Sequence, residues 1–310
     1  MPRPRLGYVL VLTGAVLFVI NAGVSRVAMR AGLDPGVFTT MRISGAAVAF
    51  VVLSLAIRRS ALRPPTGRSL LLIAALGFVG VAGLQLTYNI ALDRLPIGIA
   101  LLLEYLAPVL VVLWVRLVRK DQVHDRMWIA IACTLVGLAI VGRVWDGLAF
   151  DPLGVGMGLA AAVCFAAYFL LGEHNLDVED PLRVILWAFI VGAIVMNIFA
   201  PLRGIDRLGR DASLLGNLDS LSVPLWLPIV WIVLLGTVAP FFAQLVALNH
   251  LPATIVTIVA TLEPVGVLIL GWVWFNESLT AIQVFGGILV LSGIGLAQTA
   301  RTKPAALPPQ

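Results

Sequence analysis

Residues 91–111 read ALDRLPIGIALLLEYLAPVLV, and residues 247–267 read ALNHLPATIVTIVATLEPVGV. The offset is 156 throughout, so Pro96 and Pro108 fall on Pro252 and Pro264, and nine of the 21 aligned positions are identical without a gap. Both stretches are apolar runs long enough to approach the width of a bilayer. A membrane chain built twice from one unit is the usual plan of a secondary transporter, and the rest of the sequence is read outward from that repeat.

Of 310 residues, 60% are hydrophobic and 12% are charged, with a mean hydropathy of +1.03. A soluble domain carries about 25% charged residues, so this chain has too little polar surface to coat a water-soluble globule. A bilayer core about 30 Å thick takes about 20 apolar residues per helix. Ten such spans can be read, at roughly 6–28, 37–57, 69–92, 97–116, 127–143, 153–172, 182–200, 225–248, 253–274 and 280–298. The expected fold is therefore an all-α integral membrane protein with ten transmembrane helices arranged as two inverted five-helix repeats. The repeats cover 1–148 and 149–300, and a disordered cytoplasmic tail follows at 301–310. The opening run MPRPRLGYVLVLTGAVLFVI resembles a signal peptide, but its apolar stretch continues to about residue 25 and more spans follow, so it reads as an uncleaved first helix.

The net charge of +5 does not point to nucleic acid, because the basic residues are nearly all Arg and cluster between spans, where they set topology. With the N-terminus inside, 13 of the 21 basic residues fall on the cytoplasmic side and 7 on the other, with Arg42 inside a span. That bias places both termini in the cytoplasm of a multi-pass protein of a bacterial cytoplasmic membrane. Five is an odd number of spans, so the two halves run in opposite orientation. Cys133 and Cys164 sit inside spans and read as packing residues. Neither Lys120 nor Lys303 follows a Gly-rich loop, and His124, His174 and His250 show no metal-ligand spacing. No Gly-x-Ser-x-Gly elbow is present, so neither an enzyme nor a metal or other cofactor is expected. The longest connection, 201–224, mixes charge, Gly and Ser and reads as a solvated connector, with room for a short amphipathic segment near 213–221.

The Leu95-Pro96 and Leu251-Pro252 turns, each followed by a helix with a proline twelve residues on, resemble the EamA family of drug/metabolite transporters, as do the Glu263-Pro264 pair and Glu277 after the ninth span. The segment LPIGIALLLEYLAP, residues 95–108, looks like the branch of threonine/homoserine-type amino-acid exporters. The resemblance covers residues 6–298. It implies a central cavity lined by helices 1–4 and 6–9, helices 5 and 10 at the periphery, and efflux of amino acids or related small metabolites.

Two acids, Glu104 and Glu263, lie deep in apolar helices beside the in-helix prolines Pro108 and Pro264. Under the 156 offset Glu263 corresponds to Ala107, so the two acids sit one helical turn apart on equivalent faces. A charge at mid-bilayer costs about 2.5–3.5 kcal/mol on insertion scales, which is tolerated where the group faces a cavity or a partner. Such a glutamate can couple proton flow to export, bind a substrate ammonium, or cap backbone groups freed by the proline. Pro108 and Pro264 themselves mark helix breaks or kinks. Gln85, Tyr88 and Asn89 share one face of helix 3, and Gln244 of helix 8 is equivalent to Tyr88. They serve interhelical hydrogen bonding or substrate binding. Asn21 and Tyr168 coincide under a helix-1/helix-6 offset of 147 and read as cavity wall or packing. Arg42, about five residues into helix 2, can snorkel to the outer interface, pair with Glu104, or hold a substrate carboxylate. Trp187 is a candidate for stacking on a substrate.

The reading is a secondary exporter of small polar metabolites, amino acids first, working by alternating access around a mid-membrane site, with proton antiport as a coupling that fits Glu104. Its partners are the solute, the bilayer and a proton, and a homodimer is compatible with it. The alternatives are an exporter of drugs or of nucleotide-sugar or lipid-linked substrates, a membrane-embedded enzyme, and a non-transporting assembly subunit.

Overall fold

The computed structural model describes residues 4–118, 125–141, 151–176, 179–247, 250 and 262–299. In chain order its helices are α1 (Pro4–Arg30), α2 (Pro35–Ile57), α3 (Gly67–Arg94), α4 (Ile97–Glu104), α5 (Ala107–Leu117), α6 (Asp125–Val141), α7 (Pro152–Leu176), α8 (Pro181–Phe199), α9 (226–247), α10 (Leu262–Phe275) and α11 (Ala281–Thr299). Six helices among the described residues are long and apolar enough to cross a membrane unaided, and the others are shorter apolar helices. The large apolar side chains left outside, such as Ile198, Leu71 and Trp272 at about 70% exposure, have no water-soluble surface to belong to and face lipid. The tail at 301–310 and the tight connection expected at 249–252 lie largely or wholly outside the described residues.

Helices start where the sequence punctuates them. Asp34 and Asp180 each precede a proline and open α2 and α8, their carboxylates accepting from Gly36 N at 2.8 Å and from Leu182 N at 3.1 Å. Each cap satisfies an N–H that has no intrahelical partner, and the proline at the first helical position loses a donor that is surplus there. Asp151 likewise accepts from Gly154 N at the start of α7. The fourth span is broken as its proline demands. Tyr105 N still bonds to Leu101 O at 3.0 Å, but Leu106 N bonds back to Leu103 O at 3.1 Å, and Pro108 enters the first turn of α5.

The helices pair across the two halves. The principal contacts are α1 with α9 and α10, α2 with α8, α3 with α7 and α8, α4 with α7 and α10, and α6 with α11. Exchanging the halves turns α1–α9 into α7–α3 and maps α2–α8, α4–α10 and α6–α11 onto themselves, which is the pattern a two-fold axis between inverted units produces. The fifth and tenth spans, α6 and α11, have each other as dominant partner among the described elements. They touch backbone to backbone, since a Cβ added to Gly137 would lie 2.7 Å from Gly286 O and one added to Gly286 would lie 2.8 Å from Gly137 O. Small residues are what allow such an approach in lipid. The glycine-rich start of α7 also serves packing. Gly154 lies against Leu95 and Gly158 against Leu103, whereas nothing approaches Gly156 within 4 Å.

Both α3 and α9 widen into π-helical turns, at Leu76–Gly83 and Leu234–Val238. Under the 156 offset the second segment falls inside the first. Gly80 and Gly236 are equivalent, and each is crowded by one of the two polar residues, Tyr168 and Asn21, that the 147 offset makes equivalent to each other. A Cβ on Gly80 would meet Tyr168 at 3.0 Å, and one on Gly236 would meet Asn21 Oδ1 at 2.4 Å. π-turns are rare and recur at functional sites.

Loop contacts fall into two sets, one for each end of the bundle. At one end Arg30 pairs with Asp93, Arg94 with Asp151, and Arg207 donates to Gly32 O. The hydrogen bond from Arg94 holds the Asp151 carboxyl below the usual carboxylate range. At the other end Arg58 pairs with Asp180, and Arg183 ties Glu179 to the carbonyls of Arg63 and Pro64. The connection 201–224 belongs to the first end and is not a loose solvated connector. Asp211–Ser213 and Ser222–Pro224 pair as an antiparallel hairpin (β1 and β2), with Ala212 and Leu225 buried beneath it. Its tip docks on the end of α10, where Trp274 Nε1 donates to Leu214 O at 2.8 Å and Asn217 Nδ2 to Val273 O at 2.6 Å. Gly216, at φ +54°, leaves no room for a side chain, since a Cβ would lie 2.0 Å from Trp274 O. Leu208, Leu214 and Leu215, half-buried against the helix ends, and this docking explain why a polar segment folds, while Leu202, Ile205, Leu218 and Leu221 stay exposed.

Candidate functional site

Polar side chains from six helices converge in the apolar layer. Arg42, at 6% exposure, does not snorkel. It turns across to the π-turn of α9, where Nε donates to Thr237 Oγ1 at 3.0 Å and Nη2 lies 3.4 Å from Gly236 O. The Thr237 hydroxyl donates in turn to Ile232 O at 2.9 Å, a bond back five residues that the widened turn makes available. Asn21 of α1 packs on the same Gly236 and accepts from Ser25. Arg42 and Glu104 lie within electrostatic range of each other but form no ion pair. The alternative that joined them in a salt bridge is therefore not what this structure contains.

The two acids differ in surroundings. Glu263, buried at the start of α10, accepts a hydrogen bond from the Tyr105 hydroxyl at 2.7 Å. Glu104, the last residue of α4, keeps part of its surface open, and none of its hydrogen bonds is to a described residue. The two carboxyls interact electrostatically, and Tyr88 of α3 interacts with both and with Arg42. Consecutive residues Glu104, the last of α4, and Tyr105, just before the helix break, both belong to this polar cluster.

Around this centre, Asn89 is fully buried and donates from Nδ2 to Thr39 Oγ1 at 2.9 Å. Thr39 donates its own hydroxyl proton to Pro35 O at 2.6 Å, so the Asn89 amide orientation is set and its Oδ1 is left without a partner. Gln85 Oε1, one turn earlier, is also buried and unsatisfied. Tyr168 stands further off, linked to Tyr105 through Phe165 by ring contacts of 6.1 and 6.2 Å. Trp187 is not part of the cluster. It donates to Ala61 O at 3.2 Å near the connection between α2 and α3. The side chains of Gln244 and Pro108, and residues 251–261 that include Ala260, lie outside the described residues, while Pro264 is buried in the first turn of α10. Among the described residues no three His, Cys, Asp or Glu side chains are grouped as a metal site would require.

Three residues that the sequence reading passed over, Tyr105, Thr237 and Arg26, matter to this site, as does Glu277, which it noted only as part of the family pattern. Tyr105 and Thr237 are direct partners of Glu263 and Arg42. Arg26 and Glu277 form a second buried pair between α1 and the segment after α10. Arg26 also donates to Leu92 O at 2.8 Å and to Leu95 O, and Glu277 accepts from Ile97 N at 3.0 and 3.2 Å. The first turn of α4, whose other end carries Glu104, is thereby clamped. A tyrosine immediately after an in-span glutamate was a visible signal for Tyr105, whereas nothing local marks Thr237 or Arg26.

Comparison with known proteins matches this architecture to one family. The EamA-like transporter family matches the chain twice, over residues 5–143 and 152–299. The uncharacterized transporter YdfC of Bacillus subtilis is 24% identical over 233 residues, covering 75% of this chain and 72% of its own. The threonine/homoserine exporter RhtA of Escherichia coli (strain K12) is 24% identical over 225 residues, covering 72% and 70%. A probable terminal-alkyne amino-acid exporter of Streptantibioticus cattleyicolor is 26% identical over 281 residues, 91% of each chain. One crystal structure superposes with a TM-score of 0.61 over 94% of this chain and 96% of its own at 19% identity, a likeness of fold. With both halves matched and nearly the whole length accounted for, the chain belongs to the EamA-like transporter family.

Proposed function

We propose that this transporter is a secondary active exporter of small polar metabolites, amino acids or their derivatives first, with both termini in the cytoplasm. The two halves rock about the cluster of Arg42, Tyr88, Glu104, Tyr105 and Glu263, exposing it to each side in turn. The observation that carries the reading is the pair of carboxyls in an apolar layer, one held by Tyr105 and the other partly open and hydrogen-bonded to no described residue. An open carboxyl that can take up a proton on one side and release it on the other couples export to proton entry. The amino-acid exporters among the relatives support the substrate class.

The test is a resistance screen. The chain is overproduced in a bacterium and challenged with toxic amino-acid analogues. Rescue from at least one analogue is expected, and Glu104→Gln should abolish it while the amount of protein in the membrane stays constant. Rescue by Glu104→Gln equal to wild type removes that residue from the mechanism, and absence of transport of any small solute in proteoliposomes, with or without a proton gradient, removes the exporter reading.

A further inference from the structure

We infer that Arg42 and Glu104 are the two poles of a site for a zwitterion, Arg42 taking the carboxylate and Glu104 the ammonium. The inference rests on the transport reading above and assigns the substrate chemistry of that same site. A buried arginine is normally matched by a carboxylate, because an uncompensated charge is expensive to keep out of water. Arg42 is nevertheless held by a neutral hydroxyl and a carbonyl, and neither its hydrogen bonds nor its ion pairs include an acid among the described residues. Its guanidinium has five N–H donors. The two contacts leave most of them uncommitted in a fork suited to a carboxylate. Glu104 is the complementary case, an acceptor with no donor among the described residues. The two groups sense each other yet stand apart, with the Tyr88 hydroxyl in range of both. Long side chains of opposite charge that could meet in an apolar layer would do so. They do not pair, so the cluster presents the two signs separately, the complement of an amino acid's own head group.

Two further observations fit. The cation breaks the symmetry of the scaffold: the two Asp-Pro helix starts are 146 residues apart, and at that offset Arg42 falls on Ala188, whose carbonyl instead abuts Gly77. A site with one cationic edge binds a polar solute in a single direction. On the α3 face that carries Tyr88, the unsatisfied Gln85 Oε1 and Asn89 Oδ1 supply acceptors of the kind an ammonium requires, since buried acceptors left unmatched are otherwise a cost.

The experiment is counterflow into proteoliposomes of the full chain, with a ¹⁴C-labelled mixture of the protein amino acids as probe. Unlabelled amino acids, their amides lacking the carboxylate, and their N-acetyl derivatives lacking the ammonium serve as competitors. Amino acids are expected to compete at least tenfold better than either derivative against the wild type, a measurement that needs no variant. Arg42→Gln should raise KM for amino acids at least tenfold and erase the preference over amides while keeping the preference over N-acetyl derivatives, and Arg42→Lys should restore part of it. Glu104→Gln should show the reverse pattern. Amides and N-acetyl derivatives that compete as well as amino acids, or an unchanged KM in Arg42→Gln, overturn the two-pole site. Movement of a simple amine or sugar but of no amino acid overturns it while leaving export standing, and movement of no solute at all overturns both.

Discussion

Replacing Tyr105 by Phe removes the hydroxyl that donates to Glu263, a direct hydrogen bond between described residues of the acid cluster. Tyr105 and Glu263 are each about 9% exposed, and the hydroxyl lies 2.7 Å from Glu263 Oε2. Phe keeps the ring and its edge-on contact with Phe165 at 6.1 Å, so no packing volume is lost. What remains is a buried carboxyl oxygen without its donor, a cost of about 1–3 kcal/mol. At about 1.4 kcal/mol per factor of ten, that shifts the folded-to-unfolded ratio by roughly 5- to 150-fold. The assay is SDS titration of the purified protein in mixed micelles, followed by the fluorescence of its eight tryptophans. Tyr105→Phe is measured in the wild-type background and again in Glu263→Leu, and any other interaction of the tyrosine cancels in the cycle. A coupling of about 1 kcal/mol or more is expected. A coupling below about 0.3 kcal/mol would refute the argument that the Tyr105 hydroxyl holds the Glu263 carboxyl.

Gly286→Val should push α6 from α11, because its Cβ lands 2.8 Å from Gly137 O and from Ile140; overpacking costs about 1–3 kcal/mol, so a midpoint in the same titration equal to wild type would contradict the close crossing. Glu277→Gln should leave Arg26 buried without its counter-charge and cost about 3–5 kcal/mol, while the Arg26→Leu/Glu277→Leu double variant should recover part of the loss. Equal stability of Glu277→Gln and wild type would mean that the clamp on α4 carries no weight.

Much of this architecture is legible in the one-dimensional string. Hydropathy requires helices, since a bilayer offers the backbone no other donors or acceptors. The 156-residue repeat announces two units, and the Asp-Pro pairs at 34 and 180 mark equivalent helix starts because capping is decided within three residues. Glu104, Glu263, Arg42 and Tyr88 stand out for a similar reason: polar groups are conspicuous where the neighbours are apolar. The same logic misjudged Trp187, whose partner is a carbonyl at the bundle's end, and the connection 201–224, whose few buried leucines are diluted by polar neighbours.

The sequence alone determined the membrane class, the doubling and the short roll of buried polar groups, because each depends on composition or on spacing along one helix. Only the tertiary structure decided who meets whom. Arg42 reaches Thr237 across 195 residues and Tyr105 reaches Glu263 across 158, and nothing along either helix marks which residue it will meet. Pairing between distant helices depends on crossing points and on where a helix breaks or widens, and a shift of one residue there would turn each of these side chains by about 100°.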